Sequence, residues 1–127
     1  MGAQKLLLPF GGDTVIGQVV SELARSSIAL VLVVVRPDDP VAKALARRPV
    51  RLLVNPDPEG DMLSSVRCGL RVLPEDCQAV LVALGDQPAI TAGLVEEMCR
   101  AFWQSGRGIL TPVHRGRRGH PLLFSRR

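Results

Sequence analysis

The sequence predicts an α/β sandwich, three layers deep, built around a mostly parallel sheet. Apolar runs of strand length alternate with capped stretches of helix length along the 127 residues, and such alternation is the mark of βαβ units. The longest apolar run, residues 28–35, is continuous rather than alternating and rich in Val, as expected of a strand covered on both faces. Asn55 and Asp86 each stand just beyond a strand. In a parallel sheet both then lie on the rim at the carboxyl ends, where α/β folds bind ligands.

The elements follow in order. Lys5 sits in a short loop before the apolar run Leu6, Leu7 and Leu8, with Pro9 and a Gly11-Gly12 turn after it. Residues 14–25 read as a helix, with Val15, Val19, Glu22 and Leu23 at helical spacing and Asp13 or Thr14 as the cap. Residues 29–35 form a strand. Asp39-Pro40 supplies a capping carboxylate and then proline at the first helical position, so a short helix runs to about Arg47. Residues 50–54 are the next strand. Residues 55–60 cannot be regular, because two prolines remove donors and Gly60 frees the backbone. A helix over residues 62–73 places Met62, Val66 and Leu70 on one face and Arg67 and Arg71 on another. Residues 78–84 form a strand, and residues 91–104 a helix capped by Thr91 and stopped near Gly106. Short strands over 109–113 and 121–124 flank a glycine-arginine turn.

Composition narrows the function. The length allows one domain. Hydrophobic residues at 46% and charged residues at 22% give an ordinary globular balance. No apolar run approaches the roughly 20 residues that span a membrane, and no segment at the start looks like a signal peptide. Cys68, Cys77 and Cys99 are scattered and odd in number, which argues against zinc and disulfides and for a reducing cytoplasm. The net charge of +4 is uneven, with Arg115, Arg117, Arg118, Arg126 and Arg127 crowding the end. Aromatics make up 3% of the chain and Tyr is absent, so a base-stacking nucleic-acid platform is not expected. A solvated face is the plain reading of those arginines, and contact with a phosphorylated small ligand the next.

Four places carry chemistry. Asp86 follows Gly85 at a strand end and precedes Gln87-Pro88; a carboxylate there suits magnesium, which takes one or two carboxylates and fills its octahedron with water and phosphate. Asp also caps turns, so by itself the position is ambiguous. Lys5 could be ordinary surface charge, but just before an apolar run it can aim a point charge at a triphosphate. Residues 55–65 lead into a helix N-terminus, where free N–H groups and the hydroxyls of Ser64 and Ser65 suit an acceptor-rich ring edge or a phosphate; plain capping by Asp61 or Ser64 is compatible with that. His120 lies in Gly119-His120-Pro121 between short strands, where a lone histidine is more often structural than catalytic.

Together, Lys5-Leu6-Leu7-Leu8-Pro9, Gly60 with Ser64-Ser65, Gly85-Asp86-Gln87-Pro88 and Gly119-His120-Pro121 resemble the MobA-like nucleotidyltransferases, nearest to their molybdenum cofactor cytidylyltransferase branch. The resemblance implies a nucleotide-diphospho-sugar transferase type of Rossmann-like sheet. It implies transfer of CMP from CTP to the phosphate of a molybdopterin-type cofactor, with pyrophosphate released and Mg2+ required. It assigns catalysis to Lys5 and Asp86, the metal to Asp86, and the nucleotide to Lys5, Asn55, Gly60, Ser64, Ser65 and Asp86. Gln87, Gly119 and His120 fall to the second substrate, and a molybdenum hydroxylase is a candidate partner. Neither nucleic acid nor membrane is implied. Guanylyl or other nucleotide transfer on the same scaffold is the first alternative, and a non-catalytic module that binds or chaperones the cofactor is the second. An oxidoreductase is disfavoured, since no Gly-x-Gly-x-x-Gly follows a strand.

Two departures accompany the resemblance. In that family a Leu-Ala-Ala-Gly-x-Ser-x-Arg stretch, carrying the first strand and the phosphate loop, precedes the counterpart of Met1-Gly2, and a further Asp lies beyond the counterpart of Arg127. Residues 1–127 are therefore expected to be a single, incomplete domain. The first strand would lie inside the sheet, so its absence should leave two facing edges unpaired and the chain inactive by itself.

Overall fold

Four short side chains start the helices. Thr14 accepts from the Gly17 N–H at the head of α2 (Val15–Arg25), and Asp39 from Val41 at α3 (Pro40–Ala44). Asp61 accepts from Ser64 at α4 (Met62–Leu70), and Thr91 from Leu94 at α5 (Ala92–Ser105). Each satisfies a donor that the helix cannot pair internally. Gly106, at φ 66°, ends α5 in the left-handed region. The computed structural model describes all residues except 1–2, 58–59, 88, 107, 111–112, 115–116, 119–120 and 127.

The chain begins with one helical turn, α1 (Ala3–Leu6). A hairpin follows, β1 (Pro9–Phe10) and β2 (Asp13–Thr14), closed by Gly11 and Gly12 at φ 55° and 86°, backbone angles that glycine adopts without a steric cost. Lys5 therefore stands on α1 and not in a loop. Leu6 and Leu7 pack on the buried cluster of Ile16, Val20, Val35, Val41 and Leu45, whereas Leu8 is exposed.

Two sheets carry the remaining strands that position the site. β3 (Leu32–Val35) and β4 (Arg51–Val54) pair in parallel. β5 (Ala79–Val82) pairs antiparallel with β9 (Leu122–Ser125), which also pairs antiparallel with β6 (Ile109–Leu110). A separate ribbon joins β7 (Val113–His114) to β8 (Arg117–Arg118). The α/β class holds, and the strands are mixed in direction.

Between β3 and β5 lies a cavity of about 680 Å³ lined by apolar side chains of both strands and of α4. Neither strand has a partner on that side among the described residues. This is the pair of facing, unpaired edges that the family resemblance implied, and it accompanies three differences from expectation. β3 covers four residues rather than seven and is only half-buried up to Val35. α4 buries no residue fully, and Met62, expected on an apolar inner face, is 54% exposed. Val66, Leu70 and Leu73 look into the cavity instead of onto a neighbouring strand.

Side chains span the gap where the sheet does not. Val19, Ile90 and Val95 join α2 to α5, and Met98, Phe102 and Leu123 join α5 to β9. Glu22, buried on α2, accepts from the Ala92 N–H at the start of α5 (3.2 Å) and pairs with Arg25; a carboxylate there also meets the positive end of the helix dipole. Arg48 donates to Asp13 Oδ1 (2.6 Å) and Ser21 Oγ (2.8 Å), tying the segment after α3 to β2 and α2.

Two outcomes follow. Arg51 N donates to Val31 O and Asn55 N to Val35 O, so in the parallel ladder Leu32 and Val34 point their amides at the cavity. Arg126 N donates to Gln78 O, which turns Ala79 and Leu81 the same way. Amide exchange should be fast at these four residues and slow at Val33, Val35, Val80 and Val82; uniform protection would mean that the edges are closed. The bond from Arg48, then that from the Thr14 N–H, holds the Asp13 carboxyl below its ordinary 3.8. Its contribution is present above that value and is lost as pH falls through the lowered folded value. Arg48→Met should cost about 1 kcal/mol near neutrality and show a shallower loss of stability below about pH 4, measured by urea denaturation across pH.

Candidate functional site

The carboxyl ends of β3, β4 and β5 lead into three polar segments. Arg36 follows β3, Asn55 follows β4, and Asp86 lies in the turn after β5. Leu6, Ser65 and Gly85 all border the cavity, and Leu6 lies beside Gly85.

The loop 55–65 is built around Asn55, which is 5% exposed. Its Oδ1 accepts from the Asp57 N–H (3.2 Å), and its Nδ2 donates to Ser64 Oγ (2.9 Å) and Ser65 Oγ (3.4 Å). The backbone donor of Asp57 fixes which end of the amide is the oxygen. Gly60 closes the loop: its N–H donates to Asp57 O (3.0 Å) and its carbonyl accepts from Arg36 Nη2 (3.1 Å). A Cβ at Gly60 would come within 2.6 Å of Asn55 Nδ2, so only glycine leaves room for the amide. Asn55, expected to touch a nucleotide, thus turns its side chain into its own loop. Ser64 and Ser65 stand at the start of α4 as expected, with their oxygens already accepting from Asn55.

Asp86 presents a different chemistry. Its Oδ1 is buried and has no hydrogen-bond partner among the described residues. A buried carboxylate oxygen without a donor is costly unless a cation or a ligand donor completes it. The turn that holds it is fixed by Gln87 N–H to Leu84 O (3.2 Å) and Ile90 N–H to Gln87 O (3.3 Å). A Cβ on Gly85 would lie 2.7 Å from Ile16 Cδ1 and 3.7 Å from Leu6 Cδ2. Glycine therefore seats the turn against α2 and beside α1, which carries Lys5. Lys5 and Gln87 are exposed. Among the described residues no group of three or more His, Cys, Asp or Glu could hold a metal, so Asp86 offers a single carboxylate. That number is within what magnesium needs when phosphate and water supply the rest. Gly119 and His120 lie outside the described residues.

The structure seats the Asp86 turn beside α1, which carries Lys5, and turns the Asn55 side chain into its own loop. Arg36 was not singled out from the sequence, although a cation directly after a strand, level with Asn55, was the available signal. Gly60→Ala should displace the Asn55 amide and destabilise the protein by about 1–3 kcal/mol, read from urea midpoints. An unchanged midpoint would mean that the loop has room to give.

The family model described as the MobA-like NTP transferase domain matches residues 1–127. The molybdenum cofactor cytidylyltransferase of Escherichia coli K12 is 26% identical over 129 residues, covering 99% of this chain and 64% of that protein. A manganese complex of Rv0371c from Mycobacterium tuberculosis H37Rv superposes with a TM-score of 0.82 at 21% identity, over 98% of this chain and 65% of that one. The molybdopterin-guanine dinucleotide biosynthesis protein A of Archaeoglobus fulgidus gives a TM-score of 0.67 at 16% identity, over 95% and 58%. The chain thus spans less than two thirds of the length of each of these relatives. The two solved structures share the fold expected from the sequence.

Proposed function

Because the chain belongs to the MobA-like NTP transferase domain family, we propose that residues 1–127 carry the nucleotide- and metal-binding rim of a nucleotidyltransferase domain that acts on CTP and a phosphorylated pterin. In the reaction, CMP passes to the phosphate of a molybdopterin-type cofactor. An oxygen of that phosphate bonds to the α-phosphorus of CTP, the bond from the α-phosphorus to the bridging oxygen breaks, and pyrophosphate departs. The observation that supports this most is the buried, unpartnered Oδ1 of Asp86. When bound there, Mg2+ would neutralise charge on the phosphates. Asp86 holds its carboxylate toward the metal, and Lys5 sets a second positive charge near the leaving group. Ser64 and Ser65 face the base, and Gln87, Gly119 and His120 are assigned to the pterin.

The cytidylyl choice is supported by the Escherichia coli relative, and its activity belongs to that protein. Guanylyl transfer is the second reading, favoured by the Archaeoglobus fulgidus neighbour. No helix among the described residues is long and apolar enough to cross a membrane; a cytoplasmic setting and delivery to a molybdenum hydroxylase complete the proposal. A phosphate loop is expected to be needed beside Lys5 and Asp86, so residues 1–127 alone should show no nucleotidyl transfer above background.

The test is pyrophosphate release with CTP and GTP, with and without molybdopterin, by a version lengthened at both ends to match its relatives. Cofactor-dependent release with CTP supports the proposal, and cofactor binding without release would favour a carrier module. In that version Asp86→Asn should lower turnover more than tenfold, because an amide oxygen is a far weaker magnesium ligand than a carboxylate. An unchanged rate at saturating magnesium would remove Asp86 from the metal. Lys5→Ala should weaken CTP and tripolyphosphate far more than cytidine, since its charge answers to phosphate; equal losses would make the lysine structural.

A further inference from the structure

The hydrogen bonds of Asn55 carry a consequence for how the loop 55–65 reads a base. We infer that Asn55 is a positioning residue that fixes the hydroxyl polarity of Ser64 and Ser65, so that both serines donate to the ligand. The inference rests on the nucleotide reading above. It begins from the Asp57 N–H, which occupies Asn55 Oδ1 and so commits Nδ2, the amide's donor end, to the two serine oxygens. A serine oxygen that accepts from Nδ2 keeps its own O–H proton for another acceptor. Among the described residues neither hydroxyl donates to a protein group.

The rest of the loop holds the arrangement in place. Gly60 leaves room for the amide, and Arg36 grips the Gly60 carbonyl from the end of β3. Ser64 N is taken by the Asp61 cap, so the hydroxyl proton is the donor that residue has left. Two neighbouring donors match a ring edge with adjacent acceptors, as in O2 and N3 of cytosine. They oppose the corresponding edge of guanine, where N1 and N2 are themselves donors. For a base presented by its Watson–Crick edge, the two donors favour cytosine over guanine, and Asn55 sets this preference without touching the base.

Asn55→Asp separates this role from a merely structural one. The carboxylate keeps the shape and still accepts from the Asp57 N–H, but it accepts from the serine hydroxyls and uses their protons. Calorimetric titration of residues 1–127 with CTP, GTP and tripolyphosphate reads the result. Amide exchange at Gly60 and Ser64 reports loop shape in the same samples. Asn55→Asp should weaken CTP about tenfold or more, the scale of about 1.4 kcal/mol for a lost donor, and leave tripolyphosphate within about twofold. Arg36→Met should loosen Gly60 exchange and weaken CTP less. If Asn55→Asp unfolds the chain, the paired Ser64→Ala and Ser65→Ala variant carries the test, and it should lose CTP in the same way. Parental CTP affinity in either variant overturns the inference, as does equal loss of CTP and tripolyphosphate. A parent chain that binds no CTP overturns the nucleotide reading and the inference together.

Discussion

The unclosed ladder between β3 and β5 governs the rest of this structure. Backbone N–H and C=O groups must be paired or hydrated, and here two strands present such groups across a cavity of about 680 Å³. A continuous sheet would tie the halves by backbone bonds. In its place the helices α2 and α5 do so, through Val19, Ile90 and Val95 and through the Glu22 bond to Ala92. The same gap leaves the inner face of α4 half-covered, and unpaired edges of this kind invite added strands.

The site inherits its geometry from that arrangement. Turns at strand ends are free of the ladder, so their polar groups can be aimed, yet each one here is braced from beneath. Gly85 lets the Asp86 turn rest on Ile16, and Gly60 lets the loop close over Asn55. The buried amide and the half-buried carboxylate then divide the work. Asn55 spends its hydrogen bonds inward and shapes the loop, while Asp86 keeps one oxygen unspent. A satisfied polar group rigidifies, and an unsatisfied one marks where a ligand completes the structure.

What could be read from the sequence was local. Thr14, Asp39 and Thr91 cap helices within three residues of themselves, and Gly106 stops α5, so their types and positions declared them. The position of Asp86 just past β5 followed from the order of elements, and the open edges followed from a family resemblance. The features that were missed depend on partners far along the chain. Lys5 entered a helical turn because Leu6 and Leu7 find a core made by α2, β3 and α3. Met62 stayed exposed at the first turn of α4, beside the open cavity. Asn55 turned inward because Ser64 and Ser65 lie nine and ten residues away across a loop, a contact that no periodicity announces.

The central claim is that the ends of β3, β4 and β5 form one rim that holds a metal-bound nucleotide at Asp86. Paramagnetic broadening of backbone amides in residues 1–127, titrated with Mn2+ in the presence of CTP, tests it most directly. Broadening should concentrate at Gly85, Asp86 and Gln87, extend to Lys5 and to Gly60, Ser64 and Ser65, and spare the end of α5 and β9. Broadening centred instead on the exposed carboxylates Glu75 and Asp76, or equal at every acidic residue, would contradict the account.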